Sequence, residues 1–109
     1  IALAERAETY EGAAIVHQGP ANHFAGAEGR GGWLILTTEA LHFKSHKHNI
    51  QRHPVTIRLR EIASLKSVNT ALIIPNGLLV TRDDGSRERF VVQDRGEWLD
   101  ALRSQNLSV

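Results

Sequence analysis

Apolar and polar residues alternate along much of this chain, and that period of two is the pattern that most restricts its fold. The clearest case is Val55–Arg60, in which every second residue is a large aliphatic one. In Leu41–His46 the same period places Leu41 and Phe43 on one face and polar side chains on the other. Successive side chains of a β-strand point to opposite faces, so this period predicts half-buried strands of an antiparallel sheet.

Glycine, proline and polar clusters divide the chain into about seven such strands. Asp83–Ser86 is a strong hairpin signal, Pro75–Gly77 predicts a turn, and Ala25–Gly32 and Lys47–Pro54 predict loops. Arg87, Glu88 and Arg89 alternate in charge opposite Arg82, which favours cross-strand pairing. The expected strands are Ala14–His17 continuing as Ala21–Phe24 beyond a bend at Gly19-Pro20, Trp33–Thr37, Leu41–His46, Val55–Arg60, Leu65–Leu72, Leu78–Arg82 and Arg87–Val92.

The C-terminal part of the chain changes to the period of a helix. Asp94 and Glu97 have the spacing of a capping box, in which two side chains satisfy free backbone N–H groups. Trp98 and Leu102 then lie on one helical face. We therefore expect a mainly β domain: about seven antiparallel strands that curl over a shared core, capped by one C-terminal α-helix. Both Trp33 and Trp98 are expected in that core.

Length and composition agree with a single domain. The chain has 109 residues, and we assign 1–10 to an N-terminal extension with a short helix, 11–105 to the domain and 106–109 to a tail. Because it does not begin with Met, we expect it to be a piece of a longer protein. We find neither a signal-peptide pattern nor an apolar run of about 18 residues that would span a membrane. The absence of cysteine fits a reducing compartment, so we expect a cytoplasmic protein.

Positive charge is concentrated in one segment. His42–Arg60 holds five of the 13 Lys and Arg residues, four of the six His and no acid, whereas all 12 acids lie elsewhere. The overall charge of only +1 argues against a general nucleic-acid-binding protein, so no nucleic acid is expected as a partner. The segment itself could contact anionic lipid headgroups. The candidate residues are Lys44, His46, Lys47, His48, Arg52, Arg58 and Arg60. The alternative is that they are solvated side chains on an exposed strand and loop.

Catalytic and metal-binding interpretations find little support. His42, His46 and His48 recur at alternate positions, but Lys44 lies between them and the segment offers no carboxylate or thiolate, so we expect no metal and no other cofactor. Gly29–Gly32 lacks the Lys-Ser/Thr of a phosphate-binding loop and precedes a strand. We therefore expect no enzyme activity.

Several stretches in order resemble a GRAM domain, a member of the pleckstrin-homology-like superfamily, and three of them resemble its small bacterial members. The match covers about Glu11 to Arg103, and one departure is Ala40, where the family commonly carries a base. The matching stretches are Gly32–Thr37, Leu41–Phe43, Ala21–Phe24, Lys44–Gln51, Ile73–Leu78 and Phe90–Val92, followed by Arg95, Glu97 and Trp98.

The resemblance implies a split barrel capped by the C-terminal helix, and a binding module for membrane lipid or protein partners. Pleckstrin-homology domains that hold phosphoinositides tightly concentrate bases in the first inter-strand loop, whereas Ala25–Arg30 has one Arg and one Glu. We therefore expect weak contact at the membrane periphery and no stereospecific capture. The alternative is a protein-interaction or homo-oligomerisation domain that uses an exposed sheet edge. Leu72–Leu79 is either a core strand or, in that alternative, a contact with a second copy or a membrane.

Overall fold

The computed structural model of the chain describes residues 8–25, 28–45, 54–70 and 74–105. Within them, the strands are β1 (Thr9–Tyr10), β2 (Ala13–Ala25), β3 (Glu28–Thr37), β4 (Ala40–Ser45), β5 (Val55–Arg58), β6 (Ile62–Thr70), β7 (Ile74–Arg82) and β8 (Arg87–Val92). A 3-10 helix spans Leu59–Glu61 and the α-helix α1 spans Arg95–Arg103. Residues 1–7 of the expected N-terminal helix, most of the loop 47–54 and the tail 106–109 lie outside the described residues.

One antiparallel sheet runs in the order β5-β4-β3-β2-β8-β7-β6, and β1 adds to the start of β2. The long strand β2 pairs with β3 from Ile15 to Ala25 and with β8 through Ala21–Phe24, so it belongs to both halves of the sheet. The outermost strands, β5 and β6, have no ladder between them in the described ranges. The sheet is therefore curled without closing. This confirms the expected mainly β split barrel with one C-terminal helix.

The core lies on the concave side of the curled sheet, which we call the inner face. Trp98 and Leu102 of α1 are buried there, as expected from their helical spacing, and α1 packs against β2 and β7. The Arg95 guanidinium donates a 2.8 Å hydrogen bond to the Val68 carbonyl and so fixes the start of α1 to the β6 strand. The largest fully buried apolar side chains are Trp98, Phe90, Leu34, Leu36, Leu41, Ile57, Leu78, Leu102 and Val80.

Two turns depend on side-chain hydrogen bonds to the backbone. The expected hairpin at Asp83–Ser86 is confirmed: Gly85 has φ of 90°, and the Asp84 carboxylate accepts bonds from the Ser86 N–H at 2.8 Å and hydroxyl at 2.6 Å. These bonds hold the pKa of Asp84 below its usual value. Between β3 and β4, the fully buried Thr37 hydroxyl accepts from the Ala40 N–H at 3.0 Å. Thus both connections are short and locally determined.

Some boundaries differ from the expectations. Pro75–Gly77 lies within β7, where Gly77 pairs with Val68 and Val91, so the expected turn is wrong. The connection from β6 to β7 falls at residues 71–73, outside the described part of the chain. β3 begins at Glu28, inside the segment expected to be a loop, because glycines there still pair with β2. Pairing supplied by neighbouring strands outweighs the low strand propensity of glycine.

Two side-chain expectations are also wrong. Trp33 is 38% exposed because its position on β3 points away from the core. Asp94 does precede α1, but its backbone is left-handed with φ of 53°, and its side chain makes no capping hydrogen bond. Its carbonyl instead accepts from the Glu97 N–H at 3.0 Å. The helix therefore begins with backbone bonds in place of the expected capping box.

Substitution of Gly32 by Ala should destabilise the fold. A methyl group there would lie 2.1 Å from the Lys44 carbonyl oxygen and 2.6 Å from the Phe43 ring, so β3 and β4 would have to separate. We expect a loss of about 3 kcal/mol in the free energy of unfolding, measured by urea denaturation. The matched control is G19A, because a methyl group at Gly19 meets no atom within 4 Å. A G32A protein as stable as G19A would contradict this packing.

Candidate functional site

The described members of the predicted basic segment do not form one cluster. Lys44 lies near the end of β4, whereas Arg58 ends β5 and pairs with Ala40 at the start of β4. Because β4 and β5 are antiparallel, the two cations lie at opposite ends of the strand pair, roughly 13 Å apart along it. Arg60 is exposed in the 3-10 helix that follows Arg58. The remaining candidates lie outside the described residues: His46, Lys47, His48 and Arg52.

The convex surface of β2–β5, which we call the outer face, carries Lys44 and Trp33 side by side. The two residues are register partners on β4 and β3, and both side chains are exposed. The Lys44 ammonium also lies 5.2 Å from the centre of the Tyr10 ring, at cation–π distance. The Trp33 ring N–H donates to Gln18 Oε1 at 2.8 Å, and the Gln18 amide donates to Glu8 at 3.0 Å. These contacts fix the Trp33 ring without burying it.

A buried histidine lies beneath β1 on the same outer face. His42 is 8% exposed, its ring meets Tyr10 edge-on at 4.8 Å, and its Nδ1 lies 3.2 Å from the Thr56 hydroxyl. Burial lowers the pKa of His42 below its usual value, a shift that Glu11 opposes and Arg58 reinforces. The charged imidazolium is therefore disfavoured in the position where β1 covers it.

A cleft of about 310 Å³ opens beside this histidine, at the end of β4 away from Lys44. Its charged lining is mixed, with Glu11 and Glu39 facing Arg58, and none of these three belongs to an ion pair of the described residues. Two carboxylates beside one guanidinium disfavour a polyanion. The cleft is therefore a poor place for the anion contact that the sequence suggested. Its lining residues are Glu11, Ala13, Thr37, Glu39, Ala40, His42, Thr56 and Arg58.

Three polar side chains meet on the inner face at the end of the barrel where β2 ends and β8 begins, which we call the hairpin end. His23 Nε2 lies 2.6 Å from one oxygen of Glu88, and Arg82 donates to the other oxygen at 2.7 Å. The His23 ring also lies 5.4 Å from the Phe43 ring and 5.1 Å from the Phe90 ring. The expected cross-strand pairing of Arg82 with Glu88 is thus confirmed. Because Glu88 neutralises it, Arg82 is not available for an external anion.

Sequence reasoning missed that His23 takes part in this cluster, although a signal was present. His23 is two positions from buried Ala21 on β2, and Glu88 is two positions from buried Phe90 on β8. Residues two apart on a strand share a face, so both polar side chains had to approach the core. A buried polar group needs a partner, and each of these provides one for the other.

Three other cations have no acidic partner among the described residues. Arg30 pairs in register with His23 and Arg89 with Phe24, which places these two near the end of β2, whereas Lys44, opposite Trp33, is level with Pro20 of β2. The Arg89 guanidinium lies 5.2 Å from the centre of the Phe24 ring. The only ion pairs within the described ranges are those of Glu88 with His23 and Arg82. Lys44 and Arg30 are exposed, and the register places Lys44 on the outer face and Arg30 on the face of His23.

Comparison with known proteins identifies the fold of the chain, but it does not identify a family. No protein-family model matches the chain, and no curated protein matches it significantly. Among solved structures, it is similar to the C-terminal domain of an unknown protein from Leishmania infantum, with a TM-score of 0.76, 19% identity and coverage of 86% of this chain and 84% of that one.

Pleckstrin-homology (PH) domains are also structural neighbours. The N-terminal PH domain of human ARAP2 matches with a TM-score of 0.63, 16% identity and coverage of 85% of this chain and 84% of that one. The Slm1-PH domain, solved in complex with inositol-4-phosphate, matches with a TM-score of 0.61, 14% identity and coverage of 84% and 96%. The same Slm1 domain has also been solved with phosphoserine. The chain thus shares the fold of these PH domains.

The buried His42 should make stability depend on pH. Because its pKa is lowered in the folded chain, the unfolded chain takes up its proton first, and stability falls as the pH falls below the ordinary histidine value. We expect the urea midpoint to decrease from about pH 7.5 to about pH 5.5, and to decrease less in H42Q. Equal pH dependence in H42Q and the wild-type protein would contradict this assignment.

Proposed function

We propose that this chain is a non-catalytic binding module that makes weak contact with anionic lipid headgroups at a membrane surface. The observation that carries the proposal is that Lys44 is exposed on the outer face at the end of β4 and has no ion pair among the described residues. Arg30 and Arg89, which the sequence did not single out, also have no ion pair among those residues. In the sequence, Lys44 is followed directly by the other bases of the proposed contact, His46, Lys47, His48 and Arg52.

The remaining sequence candidates receive a smaller role. Arg58 lies at the other end of β5 beside Glu11 and Glu39, and Arg60 follows it, so we assign both only a long-range contribution to the positive potential. Together with the motif resemblance, this function fits a small bacterial GRAM domain that works in the cytoplasm at the membrane periphery. Among the residues that the structure describes, no helix combines the length and apolarity that a membrane crossing requires.

The proposed contact is weak because the cations lie on an open surface. A basic residue near an anionic leaflet contributes about 1 kcal/mol, and salt at about 0.1 M screens charges beyond roughly 10 Å. The single internal acid that could compete most strongly, Glu88, is already bonded to His23 and Arg82. The structure of Slm1-PH with inositol-4-phosphate supports anionic headgroups as a class of ligand for this fold.

Removing the bases of the proposed contact should weaken membrane binding in steps. We expect K44Q to lower the partition coefficient onto vesicles of phosphatidylcholine and phosphatidylserine about fivefold, because one charge contributes about 1 kcal/mol. Combining K44Q, K47Q and R52Q should remove most binding, and so should high salt. Sedimentation with sucrose-loaded vesicles measures the coefficient.

The matched control is R103Q, which removes one positive charge from the exposed end of α1. It should bind as the wild-type protein does, because α1 packs against β2 and β7, whereas Lys44 lies on β4. Equal losses in R103Q and K44Q would mean that net charge alone governs binding. No sedimentation of the wild-type protein at low salt would contradict the proposed function.

A second candidate is protein interaction through a free sheet edge. β6 is an outermost strand of nine residues, and along its outer edge the described residues supply no partner strand. Such an edge can accept an extended peptide or a second copy of the chain. If it does join two copies, sedimentation velocity should show a dimer that grows with concentration, and K66E on β6 should weaken it. A monomer at all concentrations would contradict self-association.

A further inference from the structure

We infer that Trp33 enters the headgroup region of the bilayer, so that the outer face of the β2–β3 hairpin lies against the membrane. This rests on the proposed function and adds an apolar anchor and an orientation to it. Among the described residues, Trp33 is the only large hydrophobic side chain that is exposed, at 38%. The other tryptophan, Trp98, is 2% exposed in the core.

The position of Trp33 on its strand explains its exposure. Ile35 and Thr37 share its face of β3 but are buried, because β1 packs against that part of the strand. Trp33 lies beyond this cover, and the next outward positions toward the hairpin are Gly31 and Gly29, which have no side chains. The indole is thus the most prominent apolar group of β3 on this face.

The indole is held in one orientation although it is exposed. Its N–H donates to Gln18 Oε1 at 2.8 Å, and Gln18 in turn donates to Glu8 at 3.0 Å. These bonds leave the apolar part of the ring accessible and place its polar N–H against the protein. An oriented ring loses little conformational freedom when it enters an interface.

A cation beside the indole favours an anionic bilayer as the partner. Lys44 is the register partner of Trp33 on β4, and it has no ion pair among the described residues. Tryptophan prefers the boundary between headgroups and acyl chains, whereas Lys and Arg pair with lipid phosphates. The outer positions of β3 from Gly29 to Trp33 carry no acid, and Glu8, on the N–H side of the indole, accepts a hydrogen bond from Gln18. This pattern of charge and aromatic surface complements phosphatidylserine-containing membrane.

Tryptophan fluorescence tests the inference directly, because only Trp33 is exposed. We expect vesicles of phosphatidylcholine with about 30% phosphatidylserine to shift the wild-type emission to shorter wavelength, as burial of an indole does. Vesicles of phosphatidylcholine alone should leave it unchanged. W33F, in which Trp98 is the only tryptophan, should show no shift in tryptophan emission with either vesicle. Brominated phosphatidylcholine in the anionic vesicles should quench the wild-type protein and not W33F.

Vesicle sedimentation of variants gives a second, independent measurement. W33A should lower the partition coefficient of the full chain about fivefold to tenfold, and W33F should retain most of it, because the phenyl ring restores much of the apolar area. The Trp98 emission of W33F and the urea midpoint of W33A show whether each variant remains folded. A folded W33A that binds as the wild-type protein does would overturn the inference.

The outcomes separate this inference from the proposed function. If the wild-type protein sediments with anionic vesicles while its emission does not change, Trp33 stays in water; the inference is overturned and the proposed function stands. If nothing sediments at low salt, the proposed function fails and the inference fails with it. An emission shift that depends on protein concentration without vesicles would assign Trp33 to a contact between copies, which also overturns the inference.

Discussion

The pairing of β2 with two neighbours at once is the constraint on which the rest of the structure depends. β2 bonds to β3 along most of its length and to β8 through Ala21–Phe24, so the two halves of the sheet must curl toward each other. Curling separates an inner face, which encloses Phe90 and Trp98, from an outer face. Close approach at Gly32, where a methyl group would meet the Lys44 carbonyl oxygen, keeps β3 and β4 in register. Once this curl is set, the alternation of each strand decides which charges reach solvent.

The face on which a charged side chain lies separates charges that support the fold from charges that are free to contact a ligand. On the inner face, His23, Glu88 and Arg82 satisfy one another, as groups near a core must. On the outer face, Lys44 contacts only the Tyr10 ring and has no acid partner among the described residues. A half-buried cation that lost Glu88 would be costly, whereas a surface cation can exchange water for a lipid phosphate at little cost. The contact that we propose therefore uses the outer face.

The sequence predicted the strands well because their period of two is set by burial on one side. It was less informative where both sides of a strand are covered. Trp33–Leu36 is apolar throughout, and the sequence alone did not reveal that β1 covers Ile35 and leaves Trp33 exposed. Pro75–Gly77 has the composition of a turn, yet pairing on both sides draws it into β7. Both errors have the same origin: contacts from strands distant in sequence override local preference.

The sequence analysis treated the positive charges of one segment as a single cluster. In the structure, the direction of each strand determines where these charges lie. The segment His42–Arg60 is uniformly basic in sequence, but antiparallel pairing sends Lys44 and Arg58 to opposite ends of β4. Arg30 and Arg89, on other strands, also have no ion pair among the described residues, although nothing in their local sequence distinguished them. The contact that we propose for Lys44 lies on a convex surface and would enclose no ligand. Without enclosure, each charge would remain solvated and contribute little, so such a contact would distinguish membranes by charge density and not by headgroup stereochemistry. The inferred entry of the oriented indole would add what charge alone lacks, because its contribution to binding is not screened by salt.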